Sequence, residues 1–452
     1  MNFLSKQRSL ALILSFLSIS TGLLTTACNT QTTETPQGEN NPSTTTSGNG
    51  LKLGTLAPMT GTLGSIGQNF PVASNLAVDT VNACGGVNDE PVTMITEDSE
   101  TDPAKANSAM TKLAEADKVA GVVGAFGSSE SMSAVDVAVR NKVMMISPGS
   151  TSQRFTDEAK KGKFQGFWAR TAPPDTYQAQ ALATLAHQKG FKKVSLLVIN
   201  NDYGVGFEEP FVTAFEKLGG TVINKDKPVR YNDNAATFDT EVKAAFEGKP
   251  DAVVAILYVD SGALLLKSAY EQGLSTNIPV LLTDGVNSED FPSKVGTKPD
   301  GTYVLAGALG TVPGADGVAL EAFKSLWTEK VKKEATAFTP HSYDAAVLLM
   351  LAAQAAGNNT GEGIKSKVLE VANAPGVDVS DPCEALKLLK DGQDINYQGA
   401  SGNVDIDEYG DVIGSYDIWE VQKDGKIKVI DQVKPAGGED KTEDKKEEKP
   451  KE

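Results

Sequence analysis

The chain has 452 residues, with 59 acidic against 42 basic side chains and a formal charge of −17. Such an acid excess excludes a nucleic-acid partner, since phosphate binding needs clustered Lys and Arg. The length exceeds one typical domain and suits two lobes of ordinary size.

Residues 1–27 read as a signal peptide. Lys6 and Arg8 form a short basic region, residues 10–24 carry no charge, and Thr25-Thr26-Ala27 lead to Cys28. This order is similar to a bacterial lipoprotein leader, in which the thiol of Cys28 is acylated and becomes the mature N-terminus. Leu24 stands one place further from the cysteine than such leaders prefer, and a plain secretory signal is the alternative. The apolar run is shorter than the ~20 residues a spanning helix needs. Residues 28–50 hold Thr, Asn, Gln, Ser, Pro and Gly almost alone and read as a lipid-anchored flexible linker. Removing the two leader cations takes the charge from −17 to about −19.

The body begins near Leu51. The pattern predicts strands over 51–57, 92–96, 119–124 and 143–147, with helices over 70–83, 103–116 and 129–140 between them. Asp102 is placed to cap the second helix, with Pro103 at its first position. After Thr171-Ala172-Pro173-Pro174-Asp175 the alternation restarts. Strands are expected over 193–199, 221–224, 252–257 and 278–282, and helices over 207–218, 235–246 and 262–272. Helices over 341–356 and 364–372 follow, then a hairpin of 403–407 with 415–422. Strands alternating with helices of this length imply parallel sheets wound on both faces. Residues 436–452 are built of Glu, Asp and Lys, and read as a disordered charged tail.

With Cys28 assigned to the leader, Cys84 and Cys383 are the only pair in an exported chain, where a disulfide is permitted. Two separately buried thiols are the alternative. His187 and His341 stand far apart in no ligand spacing, and no metal is expected. Residues 405–411 superficially match a calcium loop but put Tyr409 and Tyr416 where oxygen ligands belong, so a turn is expected. No nucleophile elbow, Walker loop or dinucleotide fingerprint occurs, so neither enzyme chemistry nor a cofactor is expected.

Several short motifs occur in order. They are Gly54-Thr55-Leu56-Ala57-Pro58-Met59-Thr60-Gly61, Gly85-Gly86-Val87, Asp98 with Asp102-Pro103, residues 124–129, and Ile146-Ser147-Pro148-Gly149-Ser150-Thr151. Asn201-Asp202-Tyr203-Gly204, Thr283-Asp284-Gly285 and Tyr343-Asp344-Ala345 follow. Together they resemble the periplasmic branched-chain amino-acid binding proteins of ABC transporters, which have the type I solute-binding fold. The resemblance implies an α/β fold of two doubly wound parallel-sheet lobes, joined by three crossover segments, with the ligand in the interlobe cleft. Crossings are expected near 170–174, 305–309 and 396–402. The first lobe then takes 51–171 and 307–398, and the second 172–306 and 399–435. Open α/β sheets do bind ligands beyond the carboxyl ends of their strands.

Position by position, the resemblance implies that Ser128 and Thr151 hold a ligand carboxylate on helix-start amides. It implies that the Gly149 carbonyl accepts from an α-ammonium and that Asp284 pairs with that ammonium, where the family carries Glu. Tyr203 and Tyr258 line the far wall. The plain alternatives are helix caps for Ser128 and Thr151, a turn support for Asp284, and packed aromatics for the tyrosines. Two positions depart from the family pattern. Its first-lobe disulfide is missing around 98–100 and 125–127, and Ile66 replaces a large aromatic over the side-chain pocket.

The reading implied is a monomeric, extracytoplasmic, lipid-anchored protein that captures a neutral or branched-chain α-amino acid and delivers it to an ABC permease. The alternatives are the same fold holding urea, a short amide or a peptide fragment, or serving as a sensory receptor.

Overall fold

The computed structural model describes residues 50–434. The leader, Cys28, most of the linker and the charged tail lie outside the described residues.

The first sheet is formed by β1 (Lys52–Ala57), β2 (Thr93–Asp98), β3 (Gly121–Gly124), β4 (Met144–Ser147) and β5 (Trp168–Arg170), in the order β2-β1-β3-β4-β5. Every neighbouring pair is parallel, as the strand–helix alternation requires. Helix starts follow local chemistry. Asp102 accepts from the amides of Ala104 and Lys105, ahead of the helix Pro103–Thr111.

The second sheet contains β6 (Lys193–Ile199), β7 (Thr221–Val222), β8 (Val229–Tyr231), β9 (Ala252–Ile256), β10 (Val280–Leu282) and β11 (Leu309–Pro313). A small parallel pair follows, β12 (Val377–Val379) with β13 (Ile395–Tyr397). The hairpin β14 (Tyr416–Val421) and β15 (Ile427–Val433) then returns to the second sheet, ordered β15-β14-β11-β10-β9-β6-β7, with β8 also on β6.

Three expected boundaries move. Leu309 still pairs with Leu281 and Glu420 in the second sheet, so the chain returns to the first lobe only after Pro313, not at 307. Gly310 permits this, because a Cβ there would meet the Trp419 ring at 2.2 Å. The last crossing also lies later than 396–402. Val404, Ile406 and Val412 still pack in the first-lobe core. Asp344 holds the chain there, accepting from the Ala400 amide at 3.0 Å, the Ser401 amide at 2.7 Å and Tyr397 Oη at 3.1 Å. Finally, residues 403–407 form no strand. The hairpin partners are β14 and β15, turned at Asp424-Gly425, where Gly425 takes a φ of 83°.

Helix Thr339–Ala356 is buried from Thr339 through Ala353 and forms the spine of the first lobe. It is buried on all sides because helices Phe70–Ala83, Gly361–Ala372 and Pro382–Lys390 surround it against the first sheet, and polar groups of its first turns are satisfied within the lobe, as at Asp344. Cys84 and Cys383 stand paired at the ends of two of these helices, with their Cα atoms 5.8 Å apart.

Candidate functional site

The first-lobe half of the site is two strand-to-helix turns sewn together. After β3, Gly127 caps the helix Ser128–Asn141 and leaves Ser128, 1% exposed, at its first position. After β4, Ser150 Oγ donates to the Phe126 carbonyl at 2.9 Å and stands 2.8 Å from Ser131 Oγ. Ser128 Oγ in turn accepts from the Ser152 amide at 3.3 Å. Gly149 must be glycine, because a Cβ there would meet the Phe126 ring at 2.0 Å. Phe126 is itself held by stacking on Phe70, with centroids 4.5 Å apart.

The second-lobe half is built on Tyr203, in the first turn of the helix Asp202–Lys217. Its hydroxyl stands 2.7 Å from both Thr283 Oγ1 and Asp284 Oδ1. Its ring stacks on Tyr258 with centroids 5.7 Å apart and planes 13° apart. Asp284 opens a short turn after β10 and is buried. Burial pushes its carboxyl up to about 6, against hydrogen bonds from Tyr203, Gln178 and the Asp284 and Gly285 amides that favour the anion.

The lobes meet through hydroxyl–acid contacts. Ser129 Oγ donates to Asp202 Oδ2 at 3.0 Å, and Ser152 Oγ donates to the Asp202 carbonyl at 2.8 Å. Arg154 pairs with the same Asp202. Thr62 reaches Asp233 at 2.7 Å, and Ser65 reaches Asp290 at 2.8 Å. The contacts at Asp202 join the turns that carry Ser128, Gly149 and Thr151 to the start of the helix that carries Tyr203, on which Tyr258 stacks and to which Asp284 is hydrogen-bonded. Ile66 packs beside them with Leu63, Phe70 and Phe126.

Three acid-site residues escaped the sequence reading. Asp175 starts the helix Asp175–Gln188, and its amide donates to the Thr151 carbonyl at 2.8 Å. Burial first, and the nearby Asp284 charge second, raise its carboxyl well above the usual range. Thr151 comes close enough to favour the Asp175 anion. Yet neither the Thr151 hydroxyl nor either Asp175 oxygen makes a hydrogen bond of good geometry within the protein. Gln178, one helical turn on, donates to the Thr311 carbonyl at 3.1 Å. Glu130 is 2% exposed, and burial followed by the charges of Asp233, Asp102 and Asp202 pushes it up to about 7. Its carboxylate lies over Gly127, where a Cβ would be 2.2 Å from Oε2.

Chemically, this is a buried polar cluster that combines helix-start amides and hydroxyls with the Asp175 and Asp284 carboxylates. Such a pair suits a cation, because two adjacent acids out of water ionise together only when positive charge joins them.

Residues 71–424 match the family described as the receptor family ligand binding region. A chemotactic signal transduction substrate-binding protein, BasB, of Halobacterium salinarum is 25% identical over 79% of this chain and 84% of its own. A Leu/Ile/Val-binding protein homolog of Brucella melitensis is 26% identical over 83% of this chain and 92% of its own. Among solved structures, a leucine binding protein from Thermotoga maritima superposes with a TM-score of 0.70, at 24% identity, over 85% of this chain and 99% of its own.

Proposed function

The chain belongs to the receptor family ligand binding region, and from that premise we propose that it captures an α-amino acid between its lobes and delivers it to an ABC permease. The observation that supports this reading is the burial of Ser128 and Thr151 in one lobe and of Asp284, Tyr203 and Tyr258 in the other, beside the Ser129–Asp202 contact that joins the two. The ligand carboxylate takes the start of the helix Ser128–Asn141, where free amides favour an anion without any basic side chain. The α-ammonium takes Asp284, with Asp175 beside it and the Gly149 carbonyl as a further acceptor. Relatives named for leucine, isoleucine and valine support an amino acid as the class. No bond is made or broken in this role. Ligand contacts made only when the lobes close favour the closed form, which is the form a permease would recognise.

Anchoring at Cys28 is proposed from the order of the leader residues alone. A sensory use of the same cleft is favoured by one relative, named as a chemotactic substrate-binding protein.

Mass spectrometry of small molecules released from the purified protein, followed by calorimetry on wild type and Asp284→Ala, tests the reading. An α-amino acid should be found, and its binding should weaken by about 2–5 kcal/mol in the variant, which leaves the ligand cation without its main partner. Binding confined to ligands without an α-ammonium, or equal affinity in both proteins, refutes it.

A further inference from the structure

Glu130 is the one buried acid of the cleft that an α-amino acid with a neutral side chain leaves without a counterpart. It is the third residue of the helix whose first residue, Ser128, is the proposed carboxylate seat. Its carboxylate accepts from its own backbone amide, and the charges that act on it most are the acids Asp233, Asp102 and Asp202. Its Oε1 atom has no hydrogen-bond partner in the protein. A glutamate at this helical position commonly folds back to cap the first turn. Capping works as well at a surface, where water satisfies the second oxygen. It does not explain a buried acid whose Oε1 has no partner, since burial without a partner is costly.

Tyr258 is the second observation. The residue is 4% exposed, and its hydroxyl makes no hydrogen bond of good geometry, although Asn201 is near enough to act on it. The acid charges acting on that hydroxyl are Glu130 first, then Asp233 and Asp284. Tyr258, stacked on the Tyr203 that binds Asp284, thus carries a second buried polar atom without a partner in the protein. Its ring continues the wall that Tyr203 begins.

We propose that Glu130 selects the ligand side chain, so that the cleft takes an α-amino acid ending in an ammonium or guanidinium group. That terminal cation pairs with Glu130 and receives the Tyr258 hydroxyl as a neighbouring acceptor. The proposal rests on the α-amino-acid reading above. The charge balance drives it. A neutral amino acid brings one cation, which the Asp175–Asp284 end consumes, and Glu130 stays buried and unmatched. A basic amino acid brings a second cation to the second acidic end. An unmatched buried acid disfavours lobe closure, whereas a matched one favours it.

Calorimetry of the purified protein with leucine, lysine, ornithine and arginine at neutral pH reads the affinity ratio of basic to neutral ligand. At least one basic amino acid should bind roughly tenfold or more tighter than leucine, and Glu130→Gln, which keeps the volume and removes the charge, should erase that ratio. Leucine binding as tightly as every basic amino acid overturns the proposal and leaves the α-amino-acid site standing. A preference for basic ligands that survives Glu130→Gln overturns the role of Glu130. Binding of no amino acid at all overturns both readings. Should Glu130→Gln fail to fold, the wild-type ratio still decides, and Tyr258→Phe should reduce the same ratio.

Discussion

The Tyr203 hydroxyl stands 2.7 Å from Asp284 Oδ1 and 2.7 Å from Thr283 Oγ1, joining the first turn of one second-lobe helix to the end of another strand. The Gly285 amide donates back to that oxygen at 3.4 Å, so the turn after β10 is arranged around the phenol. Tyr203 thus has two tasks. It supplies a wall through its ring, and it fixes the Asp284 carboxylate through its hydroxyl.

Tyr203→Phe keeps the wall and removes the fixing. With one donor lost, the Asp284 anion becomes less favourable, and its carboxyl should titrate higher than about 6. Ligand affinity should fall by about 1–3 kcal/mol, the cost of an unmet buried hydrogen bond. Calorimetry checks this, and unchanged affinity would mean that Asp284 needs no help from Tyr203.

Acid titration should act on the protein through its raised carboxyls. Glu130 moves from 4.5 up to about 7, and Asp284 from 3.8 up to about 6, so the folded chain holds protons that the unfolded chain has already released. For these groups stability falls as pH rises through that window, and is constant above it. Groups such as Asp251, held low by the Lys192 and Lys193 amides, act in the opposite sense. The clean readout is therefore a difference. The melting temperature of Glu130→Gln minus that of wild type, without added ligand, should increase from about pH 4.5 to about pH 7. A difference that is flat or declines with pH would show that Glu130 titrates normally.

Gly149→Ala should disturb the site through Phe126. The added Cβ would lie 2.0 Å from the Phe126 ring, which is also stacked on Phe70 at 4.5 Å and set edge-on to Phe338 at 4.9 Å. The ring cannot withdraw freely, so the cost is overpacking of about 1–3 kcal/mol. Phe126→Leu combined with Gly149→Ala should cost less than the two single changes added together. Denaturant unfolding of the three variants gives the cycle, and simple additivity would show that the clash is relieved elsewhere.

What the residue pattern reveals and what it hides follow from the range of the interactions. The parallel strand–helix alternation is local, and so are Asp102 as a cap and the turns carrying Ser128, Thr151 and Asp284; these were legible. Asp175 was not, because Thr171-Ala172-Pro173-Pro174 reads as a linker, whereas the prolines lead directly into a helix that opens on Asp175. Its partnership with Asp284 is purely tertiary. Glu130 looks like an ordinary first-turn acid, and only its burial in the folded chain sets it apart. β11 hides for a related reason. Its Leu309-Gly310 start is a weak strand signal, and the strand depends on Trp419 of β14 filling the space above Gly310. Asn201 also starts its helix earlier than the apolar pattern implied, by accepting from the Gly204 amide at 3.0 Å.

The Cys84–Cys383 pair should set the stability of the first lobe. The two residues are 299 positions apart in sequence, and each sits at the end of a helix that packs on the buried helix Thr339–Ala356. Closing so long a loop restricts the unfolded chain by roughly 5 kcal/mol in the entropic account, with smaller gains commonly measured. The folded state changes little, because the helix contacts remain without the bond. Cys84→Ser with Cys383→Ser should therefore lower the urea midpoint while leaving ligand affinity close to that of wild type. Thiol reduction of the wild type should reproduce the shift. An unchanged midpoint in both experiments would mean that the two sulfurs are not bonded in the purified protein, and a reduction effect that persists in the double variant would assign it to something other than this pair.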